Sequence, residues 1–201
     1  YLRVPGRELW YAAKHSFELA FLVPFLVATV MAIRLRETPL YERLLGTLGH
    51  EYLAFTVALT VLAAGVWALV SLVGLVWRRH SASPWSQGIA WVAYSVVPLA
   101  FSGELGHQMG YLLHSARQIV PVLGPQVGGW AWTAFGWSGP PGVARFLQVV
   151  FLMTGAWATV YVGGRILERQ GVAPGGWMRL SRYGLAGLLL AAYLVVFFYG
   201  A

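Results

Sequence analysis

Five long apolar runs dominate the sequence and limit what the chain can fold into. They cover residues 9–33, 52–77, 86–118, 143–167 and 180–199. Each is long enough to cross a hydrocarbon core of roughly 30 Å, which takes about 20 residues at helical rise. Because lipid offers no water to the peptide groups, such runs form helices. The sequence therefore predicts an all-α integral membrane bundle of about five transmembrane helices, in a single domain over residues 1–201.

The composition excludes the main soluble alternatives. Hydrophobic residues make up 58% of the chain and charged residues 10%, which leaves too little polar surface to cover a water-soluble globule. The net charge is +7, but the basic residues lie in short clusters between the apolar runs. They form no stripe interleaved with aromatic residues, so we expect the lipid bilayer as a partner and no nucleic acid.

The distribution of basic residues predicts the orientation of the chain. With five spans, nine of the 14 Lys and Arg residues fall on the side of the amino terminus and five on the other side. The positive-inside rule then places the amino terminus in the cytoplasm and the Trp-rich segment 124–142 outside. We expect the membrane to be the cytoplasmic membrane of a bacterium or archaeon. The chain starts at Tyr1 rather than Met, which leaves open whether a segment precedes it.

The chain contains neither cysteine nor aspartate. It therefore holds no disulfide, no thiolate zinc site, no iron–sulfur cluster and no covalently attached haem of its own. Any metal or cofactor would have to be bound by histidine, glutamate, tyrosine, methionine or the backbone.

The third span carries a polar stripe. Its members follow one another at spacings of three and four and fall within an arc of about 80° on a helix; they are Glu104, His107, Tyr111, His114 and Gln118. Ionisable groups inside a membrane are costly and mark cofactor sites or pathways. At helical rise this span is roughly 50 Å long, more than a bilayer core, so it must tilt, break or project.

The stripe suggests a haem or quinone site near the outer face. His50 and Glu51 begin the second span from the same side of the membrane and are expected to converge on it. A b-type haem often takes its two histidines from different helices, and His50 with His107 or His114 is the natural pair of iron ligands. Glu104 and Tyr111 are the candidate catalytic residues, with Glu104 as the proton acceptor in quinol oxidation.

Other interpretations of these polar residues remain open. The stripe could hydrogen-bond within the bundle or to another subunit, or it could form a dedicated metal or ion site. A second cluster near the start of the first span contains Lys14, His15 and Glu18. Lys14 and Glu18 could simply pair; alternatively His15 is a further haem ligand or, with Glu18, an inner entry for protons.

Part of the third span resembles a known family. Three segments carry the resemblance: Val97-Pro98-Leu99-Ala100-Phe101, Gly106-His107-Gln108-Met109-Gly110-Tyr111 and Gln118-Ile119-Val120-Pro121-Val122. They are similar to a membrane segment of polyferredoxin-type redox proteins, integral membrane iron–sulfur proteins that pass electrons between quinone pools and soluble carriers. That family binds its clusters through cysteine motifs, which this chain lacks. The resemblance implies a membrane module whose metal centres lie on partner subunits or on a segment outside this sequence, with His107 as the family-like position.

Taken together, these patterns predict a membrane subunit of an electron-transfer complex that binds haem b or a quinone between the second and third spans. One alternative is a structural or assembly subunit that docks onto a larger partner through the long third helix and the Trp-rich segment. A transporter for an ion or small solute is disfavoured by the absence of an internal repeat and by the odd number of spans.

Overall fold

The computed structural model describes residues 17–79, 84–123, 141–172 and 175–199. Every regular element in those ranges is an α-helix. The helices are α1 (Phe17–Leu35), α2 (Pro39–Leu48), α3 (Glu51–Arg78), α4 (Trp85–Leu123), α5 (Pro141–Arg169) and α6 (Gly176–Phe198). The predicted all-α fold is confirmed.

Four of these helices are long and apolar enough to cross a membrane. Their candidate spans are Glu51–Arg78, Trp85–Met109, Gly142–Arg169 and Gly176–Phe198. Each overlaps one of the predicted spans, and most ends agree within a few residues. In α1 the apolar stretch Ala20–Leu35 is shorter, and the first part of the predicted span 9–33 lies outside the described residues. An integral membrane bundle of about five spans is consistent with this arrangement.

The short helix α2 lies between the first two predicted spans and belongs to none of the five apolar runs. Pro39 is the first residue of α2, where a missing N–H costs nothing and a fixed φ suits the helix. Thr38 is extended, and Gly49 ends the helix in the left-handed region at φ 72°. On the buried side of α2, the Tyr41 hydroxyl donates a hydrogen bond to the Glu51 carbonyl oxygen at 3.2 Å.

Helix α4 is the centre of the bundle and contacts α1, α3, α5 and α6. In the most apolar 18-residue stretch of α4, 67% is buried inside the protein, whereas 28% of the corresponding stretch is buried in α3 and in α6. It continues without a break past Pro98 to Leu123. Its length is roughly 58 Å at 1.5 Å per residue, so residues 110–123 extend beyond the apolar span that ends at Met109.

Small residues let the helices approach α4 closely, as is common in membrane bundles. A Cβ built on Gly88 would lie 2.6 Å from the Gly74 carbonyl oxygen, and one on Gly155 would lie 2.5 Å from Ser102. About one turn further along α3 from Gly74, the indole Nε1 of Trp77 donates to the Ser181 hydroxyl at 3.1 Å. These contacts fix the rotation of the helices about their axes and therefore decide which polar side chains meet.

Candidate functional site

His107 lies on the face of α4 that is turned into the bundle. It is 5% exposed, and its Nδ1 atom is buried without a hydrogen-bond partner in the described parts of the chain. The imidazole meets the ring of Tyr111 edge to face, with 4.9 Å between ring centroids. One nitrogen of a buried imidazole is thus left without its usual partner, which is rare for a buried polar group.

Tyr193 reaches the same region from α6. It is fully buried, and its hydroxyl has no hydrogen-bond partner among the residues that the structure describes. A Cβ at Gly103 would lie only 2.7 to 2.9 Å from the outer edge of the phenol ring. Gly103 therefore provides the space that lets this phenol lie against α4, one helical turn from His107.

Arg34, in the last turn of α1, adds a cation to the same region of the bundle. Its side chain is 14% exposed, and its guanidinium lies 4.8 Å from the centroid of the Phe197 ring. Nη1 donates to Oε2 of Glu37 at 2.5 Å, while the buried Nε has no hydrogen-bond partner in the described chain. The same Phe197 ring approaches Gly106, the neighbour of His107, where a Cβ would lie 3.7 Å from the ring.

Glu104 supplies the carboxylate, one turn before His107 on α4. The Gln108 side-chain amide donates to Glu104 Oε1 at 2.6 Å. Glu104 also directly follows Gly103, against which the Tyr193 ring packs. We refer to Arg34, Glu104, His107 and Tyr193 as the His107 cluster.

Gln148 of α5 borders this cluster. It is buried and packs against Gly106, where a Cβ would lie 3.8 Å from the Gln148 side chain. The buried members His107 and Tyr193 therefore lie among α1, α4, α5 and α6, whereas Glu104 is only partly buried. It combines an imidazole, a carboxylate, a phenol and a guanidinium, which together can donate and accept hydrogen bonds and take up protons.

Comparison with known proteins gives no assignment. No protein-family model, curated protein or solved structure matches the chain.

The other residues predicted from sequence lie in different surroundings. His50 is exposed immediately before α3, and Glu51 forms an ion pair with Arg36 in which both side chains are about half exposed. Within the described ranges, no hydrogen bond, ion pair or ring contact joins His50 or Glu51 to the His107 cluster. The predicted approach of His50 and Glu51 to the polar stripe is therefore supported by no described contact. Haem ligation by His50 and His107 stays a prediction.

The rest of the polar stripe is only partly described. Tyr111 is 51% exposed, so the stripe is open to the surroundings at this position. His114 and Gln118 lie on α4, but their side chains are outside the described part of the structure, and so is His15 with its neighbour Lys14. In the part that is described, no group of three or more histidine or acidic side chains could hold a metal ion.

Sequence reasoning did not find two members of the cluster. Arg34 follows an apolar run directly and was interpreted as a topology signal, and Tyr193 lies inside the last apolar run. A signal existed in each case, since an arginine at a helix end and a phenol within a span both need a polar partner in lipid. Hydropathy alone does not show that the two lie beside the same face of α4.

Proposed function

We propose that this chain is a membrane subunit of a redox complex and binds a quinone or quinol at the His107 cluster. The observation that carries the proposal is a pair of buried polar atoms, His107 Nδ1 and the Tyr193 hydroxyl, that have no hydrogen-bond partner among the described residues. Leaving such an atom unsatisfied costs about 1–3 kcal/mol. A ligand with a hydrogen-bonding oxygen would recover that cost.

A quinone suits these surroundings because it is a flat apolar ring with an oxygen at each end. The carbonyl oxygen of a quinone accepts a hydrogen bond from the Tyr193 hydroxyl or an imidazole N–H, and the hydroxyl of a quinol donates to an unprotonated imidazole nitrogen. Such a ligand reaches the site through the lipid. The enclosing helices are apolar, which is typical of small-molecule sites with a few polar groups that fix orientation.

The cluster also contains the groups that quinol oxidation needs. Oxidation of a quinol to a quinone releases two protons and two electrons. Imidazole and carboxylate side chains accept protons, so His107 and Glu104 are the proton acceptors in this proposal. The electrons leave to a metal centre on a partner subunit, since this chain has no cysteine to bind a cluster. The resemblance to polyferredoxin-type proteins fits such an arrangement.

A quinone is favoured over haem by the positions of the histidines. His114 follows His107 by seven residues on one helix, about 10 Å along its axis, and these two cannot ligate one iron from opposite sides. His50, the other candidate, is exposed and makes no described contact with the cluster.

The test is equilibrium binding of a short-chain ubiquinone and a short-chain menaquinone to the purified protein in lipid nanodiscs. Replacing His107 by alanine should weaken binding of the preferred quinone about tenfold, the value of one lost hydrogen bond. Tyr193→Phe, which removes only the hydroxyl, should have a similar effect. His50→Ala is the matched control and should leave the affinity unchanged.

Two results would contradict the proposal. One is binding of neither quinone, or equal affinity in the His107→Ala, His50→Ala and unaltered proteins. The other is an absorption spectrum with a b-type haem band that disappears in His107→Ala. Circular dichroism and a monodisperse elution profile verify that each variant is folded.

A non-catalytic subunit that docks onto a larger partner is a second candidate, supported by the length of α4. Residues 110–123 continue about 21 Å beyond the apolar span, which is more helix than a bilayer core needs. This candidate predicts that Glu104→Gln and His107→Ala leave the activity of the assembled complex unchanged. Loss of activity in a fully assembled complex would exclude it.

A further inference from the structure

A groove between α5 and α6 contains none of the four residues of the His107 cluster in its lining. Its volume is about 630 Å³, within the range of ligand sites in proteins. Small and apolar residues form most of its floor, and arginines lie at one end. The lining includes Ala156, Val160, Gly164, Arg182, Ala186 and Gly187.

Arg182 supplies the unmatched positive charge of this groove. The other lining arginine, Arg165, is paired with Glu168 at 3.0 Å and donates through Nε to the Tyr161 hydroxyl at 3.2 Å. Arg182 makes no ion pair within the described ranges, and its buried Nε has no hydrogen-bond partner there. A Cβ on Gly164 would clash with the guanidinium of Arg182, so the glycine provides the space in which the cation lies.

Exposed aromatic rings border the groove. Trp157 is 69% exposed and stacks on Tyr161 with 5.8 Å between ring centroids. Tyr183, beside Arg182, is also exposed, and the guanidinium lies 5.7 Å from its ring centroid. Tryptophan and tyrosine are enriched where a membrane protein meets the headgroup layer. Tyr183 and the two arginines give this end of the groove the composition of a headgroup site, whereas Trp157 lies near the middle of the span Gly142–Arg169.

We propose that the α5–α6 groove binds an anionic phospholipid, with its phosphate on Arg182 and one acyl chain along the groove. The charge and the shape both favour this occupant. A phosphate accepts the hydrogen bonds that a guanidinium donates, and basic pockets between membrane helices bind anionic headgroups. From Arg182 to Leu190 the groove follows α6 for about 12 Å, over a largely apolar lining that suits an acyl chain.

Two pairs of variants on α6 test the headgroup and the chain separately. Arg182→Gln removes the cation in the groove, and Arg179→Gln removes an exposed cation that does not line it. Gly187→Leu fills the groove, and Gly184→Leu adds the same side chain outside it. A Cβ at either glycine meets nothing within 4 Å, so both leucine variants should fold.

The measurement is native mass spectrometry of the purified protein titrated with dioleoyl phosphatidylglycerol or dioleoyl phosphatidylcholine. The unaltered protein should prefer phosphatidylglycerol. Arg182→Gln should weaken its binding about fivefold, and Gly187→Leu should weaken it at least as much. Arg179→Gln and Gly184→Leu should match the unaltered protein.

Four results would overturn the proposal. Equal affinity for the two lipids would exclude an anionic headgroup site. Unchanged phosphatidylglycerol binding in Gly187→Leu would show that the acyl chain lies elsewhere. Displacement of the lipid by glycerol phosphate at the same concentration would assign the site to a free anion. An equal loss of phosphatidylglycerol binding in Arg182→Gln and Arg179→Gln would indicate only a general attraction of the basic surface.

Discussion

Replacement of Gly74 by leucine is expected to prevent the bundle from forming. A Cβ on Gly74 would lie 2.8 Å from the Ile89 Cα atom and 2.9 Å from its backbone nitrogen. Backbone atoms cannot rotate away as a side chain can, so α3 and α4 would have to separate. Even alanine should destabilise the protein by about 1–3 kcal/mol through overpacking. Leucine adds three further carbon atoms at the same point.

Gly65 is the matched control for this experiment. It lies on the same helix, and a Cβ there would meet nothing within 4 Å. Gly65→Ala and Gly65→Leu should therefore leave stability unchanged or slightly raised, because alanine and leucine favour the helix over glycine. The measurement is the midpoint of unfolding in mixed micelles with increasing dodecyl sulfate. Equal midpoints for Gly74→Ala and Gly65→Ala would show that the close approach of α3 and α4 is not needed.

Replacement of Glu104 by glutamine is expected to lower quinol oxidation about 100-fold or more, the usual contribution of a positioned general base. The substitution retains the size of the side chain and an oxygen that can accept from Gln108. It removes the capacity to take up a proton. Quinone binding should therefore persist while turnover falls, which separates proton transfer from a loss of structure.

The control for this variant is Glu42→Gln, since Glu42 is an exposed carboxylate on α2. Turnover is measured as quinone formation from a short-chain quinol by membranes that carry the assembled complex, with membranes lacking the chain as background. Full activity in Glu104→Gln would remove the carboxylate from the mechanism. A parallel loss of quinone binding would instead assign Glu104 to the binding of the ligand.

The fold was largely predictable because membrane insertion depends on local properties. The length and hydropathy of each run identified α3, α4, α5 and α6, and these properties need no knowledge of the neighbouring helices. Helix α2 was not predicted because its ten residues fall in none of the five apolar runs and are too few to cross a membrane. Pro39 at its first position is a signal for the start of a helix.

The site was predictable only in part. His107 was found because an imidazole within an apolar helix is conspicuous in lipid. Its neighbours Arg34 and Tyr193 were not found, since their meeting depends on how α1 and α6 are rotated about their axes. That rotation is fixed by contacts such as Gly103 against the Tyr193 ring. In a membrane both the inner and the outer faces of a helix are apolar, so the periodicity of hydrophobic residues does not reveal how the helix is rotated.

The unbroken course of α4 has a mechanical consequence. The helix that holds His107 in the membrane is the same hydrogen-bonded rod that ends at Leu123, with no hinge between the two points. A protein that bound residues 110–123 and rotated or shifted this part of α4 would move the His107 imidazole with it. A partner bound to residues 110–123 would then be enough to shift the His107 side chain from outside the bilayer.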